Sequence, residues 1–171
     1  MALPRKLKNM NLFADGDNWQ GLLEEFTPAK LAKKFENYRG GGMAGAVGID
    51  MGYEDDALNT EITLGGFEVK ALKKHSAAKH NAVMFRFAGS FQRDDTGEIS
   101  AVEIITRGRI KEFDNGNYKV ADNSTQKLSM VNTYYKVVVD GETIIEIDTV
   151  NMVEIIDGVD MMAEHRTAIG L

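Results

Sequence analysis

The sequence predicts a mainly β fold, an antiparallel sandwich or strongly curved barrel with one or two short helices. Three observations predict it. Two β-branched and aromatic runs meet at Asp140-Gly141, apolar residues alternate between Val83 and Phe91, and helical periodicity is scarce throughout.

From the N-terminus, Asn11-Leu-Phe-Ala14 and Trp19-Gln-Gly-Leu-Leu23 flank Asp15-Gly-Asp-Asn18, a hairpin signature. The glycine-rich stretch from Arg39 to Asp56 is predicted to be neither helix nor strand but a long mobile connection, a kind of loop that is usually functional. After Gly65-Gly66, a helix is predicted over Phe67 to Lys79, with Phe67, Ala71, His75 and Ala78 as its stripe. Val83, Phe85, Phe87 and Phe91 share one face of a strand that turns at Asp94-Asp-Thr-Gly97 and returns along Ile99 to Ile110. Asn115-Gly116 marks the next turn, ahead of a strand near Thr125 to Val139. Thr133 to Asp148 then reads as two strands around Asp140-Gly141, a dipeptide that supplies the positive φ angles of a tight hairpin turn. A second helix is predicted near the C-terminus, with Asp157 and Asp160 as caps, Val159, Met162, Ala163 and Ile169 at helical spacing, and Gly170 at the end.

Bulk properties narrow the functional classes. A chain of 171 residues is about one domain, expected here to span 1–171. A hydrophobic content of 43% with only 2 prolines fits a packed core and leaves no disordered tract. With no cysteine, thiolate nucleophiles, disulfides and cysteine zinc sites are excluded. Apolar runs fall far short of about 18 residues, and Met-Ala-Leu-Pro-Arg-Lys-Leu-Lys8 lacks the apolar stretch of a secretory signal, so the expectation is a chain made and used in solution. Net charge is −6, which argues against a sequence-independent grip on DNA, because that grip needs Lys and Arg to displace counterions.

Motifs that suggest chemistry have plainer explanations. Gly40, Gly42 and Gly45 match a dinucleotide-binding pattern, but Ala-Val-Gly-Ile-Asp-Met-Gly52 is a poor helix and that chemistry needs one there. Asp95-Thr-Gly97 matches one half of an aspartic-protease pair, yet Arg93, Asp94 and Glu98 make it a solvated turn rather than a buried carboxylate. His75, His80 and His165 lack metal-site spacing. Asp15-Gly-Asp-Asn-Trp19 opens like a calcium loop but has Gln20 and Phe26 where Gly and Glu belong. Trp19 is an anchor of the core or of an interface. No catalytic residue, cofactor or metal is therefore expected. In the strand after Glu98, Glu103, Arg107, Arg109 and Lys111 take one side, while Val102, Ile104 and Ile110 take the other. Either a solvated face or the wall of a water-filled channel has that pattern.

An ordered set of segments runs nearly the whole chain: Pro4-Arg-Lys-Leu7, Glu36-Asn-Tyr-Arg-Gly-Gly-Gly-Met43, Leu64-Gly-Gly-Phe67, Arg86-Phe-Ala-Gly-Ser-Phe-Gln-Arg-Asp-Asp-Thr-Gly-Glu98, Arg107-Gly-Arg109, Glu146-Ile-Asp148, Gly158-Val-Asp160 and Ile169-Gly-Leu171. By these the chain resembles the major tail tube proteins of contractile-tailed phages of the FII type and, more distantly, R-type pyocin tube proteins. It departs from the pattern at Thr27-Pro-Ala-Lys-Leu31, where the proline comes one position early, and in the more basic 67–79 segment. The resemblance implies the phage tail tube fold, two packed antiparallel sheets with a flanking helix and a short C-terminal helix. It implies hexameric rings stacked into the inner tube of a virion tail, assembled in the host bacterial cytoplasm. The tube would work with the tail sheath, tape measure, baseplate and tail terminator proteins, and DNA would pass through the lumen without specific binding. A phage-derived secretion or bacteriocin particle carrying no DNA is the alternative. Under this reading 39–56 is an inter-ring loop, and Leu3, Pro4, Arg39, Met43, Ile49, Asp50, Met51 and Leu171 are the expected inter-ring contacts. Asp94, Asp95 and Glu98 are expected at a hairpin tip or lumen rim, and the net charge suggests a negative lumen. A hydrolase built around Asp95 and a monomeric β-sandwich binding module are the competing classes.

Overall fold

In the computed structural model, which describes residues 1–171, Asp140 and Gly141 have φ of 50° and 82°. They close a tight turn between β9 (Gln126–Val139) and β10 (Glu142–Asp148), as their chemistry dictates. β7 (Val83–Gln92) and β8 (Ile99–Asp114) form the second long hairpin through the 94–97 turn. β1 (Lys6–Ala14) lies antiparallel beside β7, and Asp15 and Gly16, both at positive φ, turn it into the two-residue β2 (Asp17–Asn18). The second arm expected at 19–23 is not a strand. Trp19 instead drops into the core, and β3 begins at Leu23 and ends at Thr27, which leaves Pro28 outside the ladder.

One antiparallel sheet of ten strands makes its own sandwich. β8 and β9 pair along most of their length, with register shifts at Arg107/Gly108 and Ile110/Glu112. Beyond this irregular stretch the partner of β9 changes: its C-terminal half pairs β10, and its N-terminal end pairs β6 (Thr60–Leu64), which carries β3. Bulges of this kind bend and twist a strand. The β3–β6 layer meets the β1–β7 layer, with Phe26 stacked on Phe87 at 4.6 Å and Trp19 edge-on to Phe85 at 5.7 Å. Leu12, Ile62, Leu64, Leu128 and Met130 fill the space between. β11 (Val153–Ile156) and β12 (Val159–Asp160) extend the far edge. A second antiparallel sheet has two strands, β4 (Lys33–Tyr38) and β5 (Val47–Tyr53). The mainly β class with two antiparallel sheets and two short helices is as expected.

Three local expectations need correction. The segment 39–56 is not a featureless connection, because β5 occupies 47–53 and only 39–46 and 54–56 lie outside a strand. Helix 67–79 shrinks to α1 (Val69–Leu72), whose buried residue is Ala71. Phe67 and His75 are exposed, since a stripe diluted by four lysines has too little apolar surface to hold more turns. At the C-terminus, α2 (Ala163–Ala168) forms and Gly170 ends it at φ 86°, but Asp157-Gly158 is the tight β11–β12 turn and not a cap. No residue of α2 is buried, so the stripe of Val159, Met162, Ala163 and Ile169 does not face the core.

Candidate assembly surfaces

β4 and β5 form an arm. Val47, Ile49 and Met51 alternate with Gly48, Asp50 and Gly52, a period of two that suits a strand although the glycines weaken its propensity. Tyr38 pairs with Val47 and Glu36 with Ile49, so Tyr38, Val47, Ile49 and Met51 form an apolar row on one face. Phe35 lies on the other face, over Gly48. All five side chains are exposed, Phe35 at 60% and Met51 at 59%. Between residues 34 and 52 every hydrogen bond and ion pair stays within the arm. At the turn, Arg39 donates to the Ala44 carbonyl, and the Gly40 amide meets Met43 Sδ, which folds half-buried onto the turn.

The root of the arm is polar and fixed. Tyr53 Oη donates to Glu154 Oε1 of β11 at 2.8 Å, and Lys33 Nζ lies 3.0 Å from Asp50 and 3.9 Å from Glu154. Burial, then Glu154, raises the Tyr53 pKa above the ordinary phenol value. The Gly52 amide, then Lys33, lowers that of Asp50.

The structure gathers Leu3 with Asp94, Asp95 and Glu98. The Leu3 amide donates to Asp95 Oδ2 at 3.0 Å, Lys8 pairs with Asp94 at 2.9 Å and Arg5 lies 3.9 Å from Glu98. The Leu3 amide is also the main reason the Asp95 carboxyl is held below its usual range. Pro4 is exposed beside this cluster. The expected contact residues therefore fall in three places: the N-terminus on the 94–98 tip, the arm, and the C-terminal segment with Leu171. The arm root and the C-terminal segment adjoin through Glu154, whose carbonyl accepts the Met161 amide. The sequence reading missed Phe35, Tyr38, Val47, Tyr53 and Glu154; of these only Val47 and Tyr53 lie in the alternating run of β5 that could have signalled a strand.

Arg166 holds the C-terminal segment. It pairs with Asp160 and donates to the Met152 carbonyl at 2.6 Å, and Asp160 Oδ1 also accepts the Met162 amide. Arg166 first, then that amide, lowers the Asp160 pKa.

The outward face of the large sheet carries both signs of charge, with Glu103, Arg107, Arg109 and Lys111 outside and Ile104 and Ile110 inside as alternation predicts. Arg86 donates to Glu103 at 3.1 Å and lies 4.1 Å over the Phe13 ring. Arg107 stands over Tyr134, whose hydroxyl donates to Glu146 at 2.9 Å; burial, then Glu146, raises the Tyr134 pKa to about 12. Lys136 sits opposite Glu146 in register. Arg86, Arg107 and Lys136 thus each have a neighbour on the sheet.

One concavity is an open polar cleft of about 400 Å³ between Thr27, Lys30, Asp56, Glu61, Lys111 and Glu112. His75, His80 and His165 are exposed and apart, no three His, Asp or Glu side chains gather as metal ligands, and Gly40, Gly42 and Gly45 lie in the arm turn with a strand after them.

A sequence profile of the family described as phage tail tube protein FII matches residues 4–170. The tail tube protein of Escherichia phage P2 is 49% identical over 172 aligned positions that cover 100% of both chains. The major tail tube protein of Serratia phage KSP20 is 35% identical, covering 100% of this chain and 99% of that one. A chain from the cryo-EM structure of the anti-feeding prophage baseplate overlays with a TM-score of 0.47 at 6% identity, covering 75% of this chain and 90% of that one.

Proposed function

The chain belongs to the phage tail tube protein FII family, and from that premise we propose that six copies close into a ring and that rings stack into the inner tube of a contractile tail, the conduit for DNA ejection. It is a structural component of the phage tail, and its relatives are tube proteins rather than enzymes. The observation that carries the assembled reading is the arm, which exposes apolar side chains on both faces of a two-stranded sheet. A two-stranded hairpin is marginal alone in water, and surface of this kind marks an interaction site.

Free strand edges support lateral association. β1 pairs with β2 only at Phe13 and Ala14, and the Leu12 carbonyl accepts the Trp19 amide, so the ladder side of Lys6 to Asn11 facing away from β7 is open, and β12 ends the sheet on the other side. Pairing such edges between copies removes a row of unpaired amides and carbonyls. Stacking by the arm is head-to-tail, which extends without closing and needs other components to stop it. The sheath, tape measure, baseplate and terminator proteins are the proposed partners, with assembly in the host bacterial cytoplasm. If the outward sheet face lines the bore, Arg86 beside Glu103 and Lys136 beside Glu146 have less to exchange for a grip on passing DNA, because a cation already neutralised releases few phosphate counterions.

Electron microscopy of the purified full chain across a concentration series tests this, alone and with its companion tail proteins. Annular particles and hollow cylinders with six-fold symmetry are expected. Monomers under every condition, or rings of another symmetry, would overturn the reading.

A further inference from the structure

Charge accounting within the subunit singles out a few residues. In the arm, Lys33 pairs with Asp50, and Lys34 lies 4.0 Å from Glu36, leaving Arg39 at the turn as the one charge without an acidic partner. From Val153 to the last residue, Glu154 is taken up by Tyr53 and Lys33, and Asp160 by Arg166. Asp157 and Glu164 have no cationic partner, and both are exposed. They stand among exposed apolar side chains: Val159 at 60%, Met161 and Ile169.

This segment is ordered without being part of the core. α2 buries nothing, and Arg166 fixes it from beneath through Asp160 and the Met152 carbonyl. Its outer side thus combines unburied apolar groups with two unpaired acids. The arm turn presents the complement, an unpaired guanidinium beside the apolar row that ends at Tyr38 and Val47. One copy cannot satisfy itself by the contacts it has. Its arm is rooted at Glu154, next to its own C-terminal segment, while the turn lies six residues out along β4, on the order of 20 Å at the rise of a strand.

We propose that the arm turn of one copy seats on the β12–α2 surface of another, with Arg39 between Asp157 and Glu164 and with Tyr38 and Val47 against Val159, Met161 and Ile169. This rests on the tube reading above and names the two surfaces of its stacking contact. The apolar groups supply the area removed from water, and the charge pairing selects the partner and the register.

Charge exchange in the full chain tests the pairing. Arg39→Glu alone, and Asp157→Arg with Glu164→Arg, are each expected to cut tube yield by at least about ten-fold, because like charges meet at every stacking contact. All three changes together are expected to restore yield to within about two-fold of the parent. A one-sided variant, single or double, that assembles like the parent, or a triple variant no better than the one-sided ones, would overturn the pairing. A second measurement does not depend on charge. The chain has no cysteine, so Arg39→Cys with Glu164→Cys should give an oxidation-dependent ladder of linked chains in preformed tubes. Tubes that form but yield no ladder refute this contact and leave the tube reading standing. Failure of the parent chain to form tubes removes both.

Discussion

A Cβ added at Gly108 would lie 2.1 Å from the Val131 carbonyl oxygen and 2.6 Å from Asn132 Oδ1. Neither atom can move freely. Val131 is in the β9 ladder, and Asn132 is buried, its amide donating to the Leu58 carbonyl and Thr60 Oγ1 at 2.9 Å. Gly108 sits at the register shift where β9 passes from one pairing partner toward the other, so the absent side chain lets two backbones approach at the bend. Gly108→Ala should therefore destabilise the monomer by about 1–3 kcal/mol, an overpacking cost read as a lower urea midpoint with an unchanged slope. An unchanged midpoint would mean that the bend does not depend on this glycine. The sequence Arg-Gly-Arg showed where a glycine falls, not that a buried asparagine from another strand fills the space beside it.

At the scale of elements, the arm separates folding from assembly. Its apolar row contributes little to the core, since Tyr38, Val47, Ile49 and Met51 are exposed in the subunit. Replacing Ile49 and Met51 with Ser should change unfolding free energy by no more than about 0.5 kcal/mol, as surface substitutions do, while abolishing tubes visible by electron microscopy. Loss of stability on that scale or larger, with tubes intact, would place the row in the fold rather than in an interface. The hairpins at Asp140-Gly141 and Asp94–Gly97 were legible in the sequence, because turn dihedrals and period-two alternation are local properties. The arm was not, because glycine at 48 and 52 conceals alternation that only the cross-strand partner β4 makes cooperative. The C-terminal helix was legible as a helix but not as a surface, because helical spacing does not say whether a core lies opposite.

Across the whole molecule, three carboxyls with lowered pKa values tie the exposed elements to the body or brace them: Asp50 at the arm root, Asp95 under Leu3 and Asp160 beneath α2. The folded value of each lies below the ordinary value of 3.8, so its contribution is complete above that pH and is lost as pH falls through the folded value. Core residues such as Phe85, Leu128 and Met130 carry no such dependence. Hydrogen exchange, compared as protection factors that remove the slower intrinsic exchange at low pH, should show residues 1–8, 33–53 and 160–171 losing protection first as the pH falls from 7 to about 3, with β6 to β9 still protected. Uniform loss of protection would show that these ties are not separable from the core.

By itself the sequence determined the mainly β class, the principal turns and the family, since each rests on near-neighbour chemistry or on an ordered string of residues. Tertiary structure alone decided that one sheet folds over to make both layers, that a two-stranded arm stands off it, and that the expected contact residues divide among three surfaces. Those outcomes depend on which distant strands share hydrogen bonds and which side chains remain unburied, and neither is encoded in the spacing of residues along one segment.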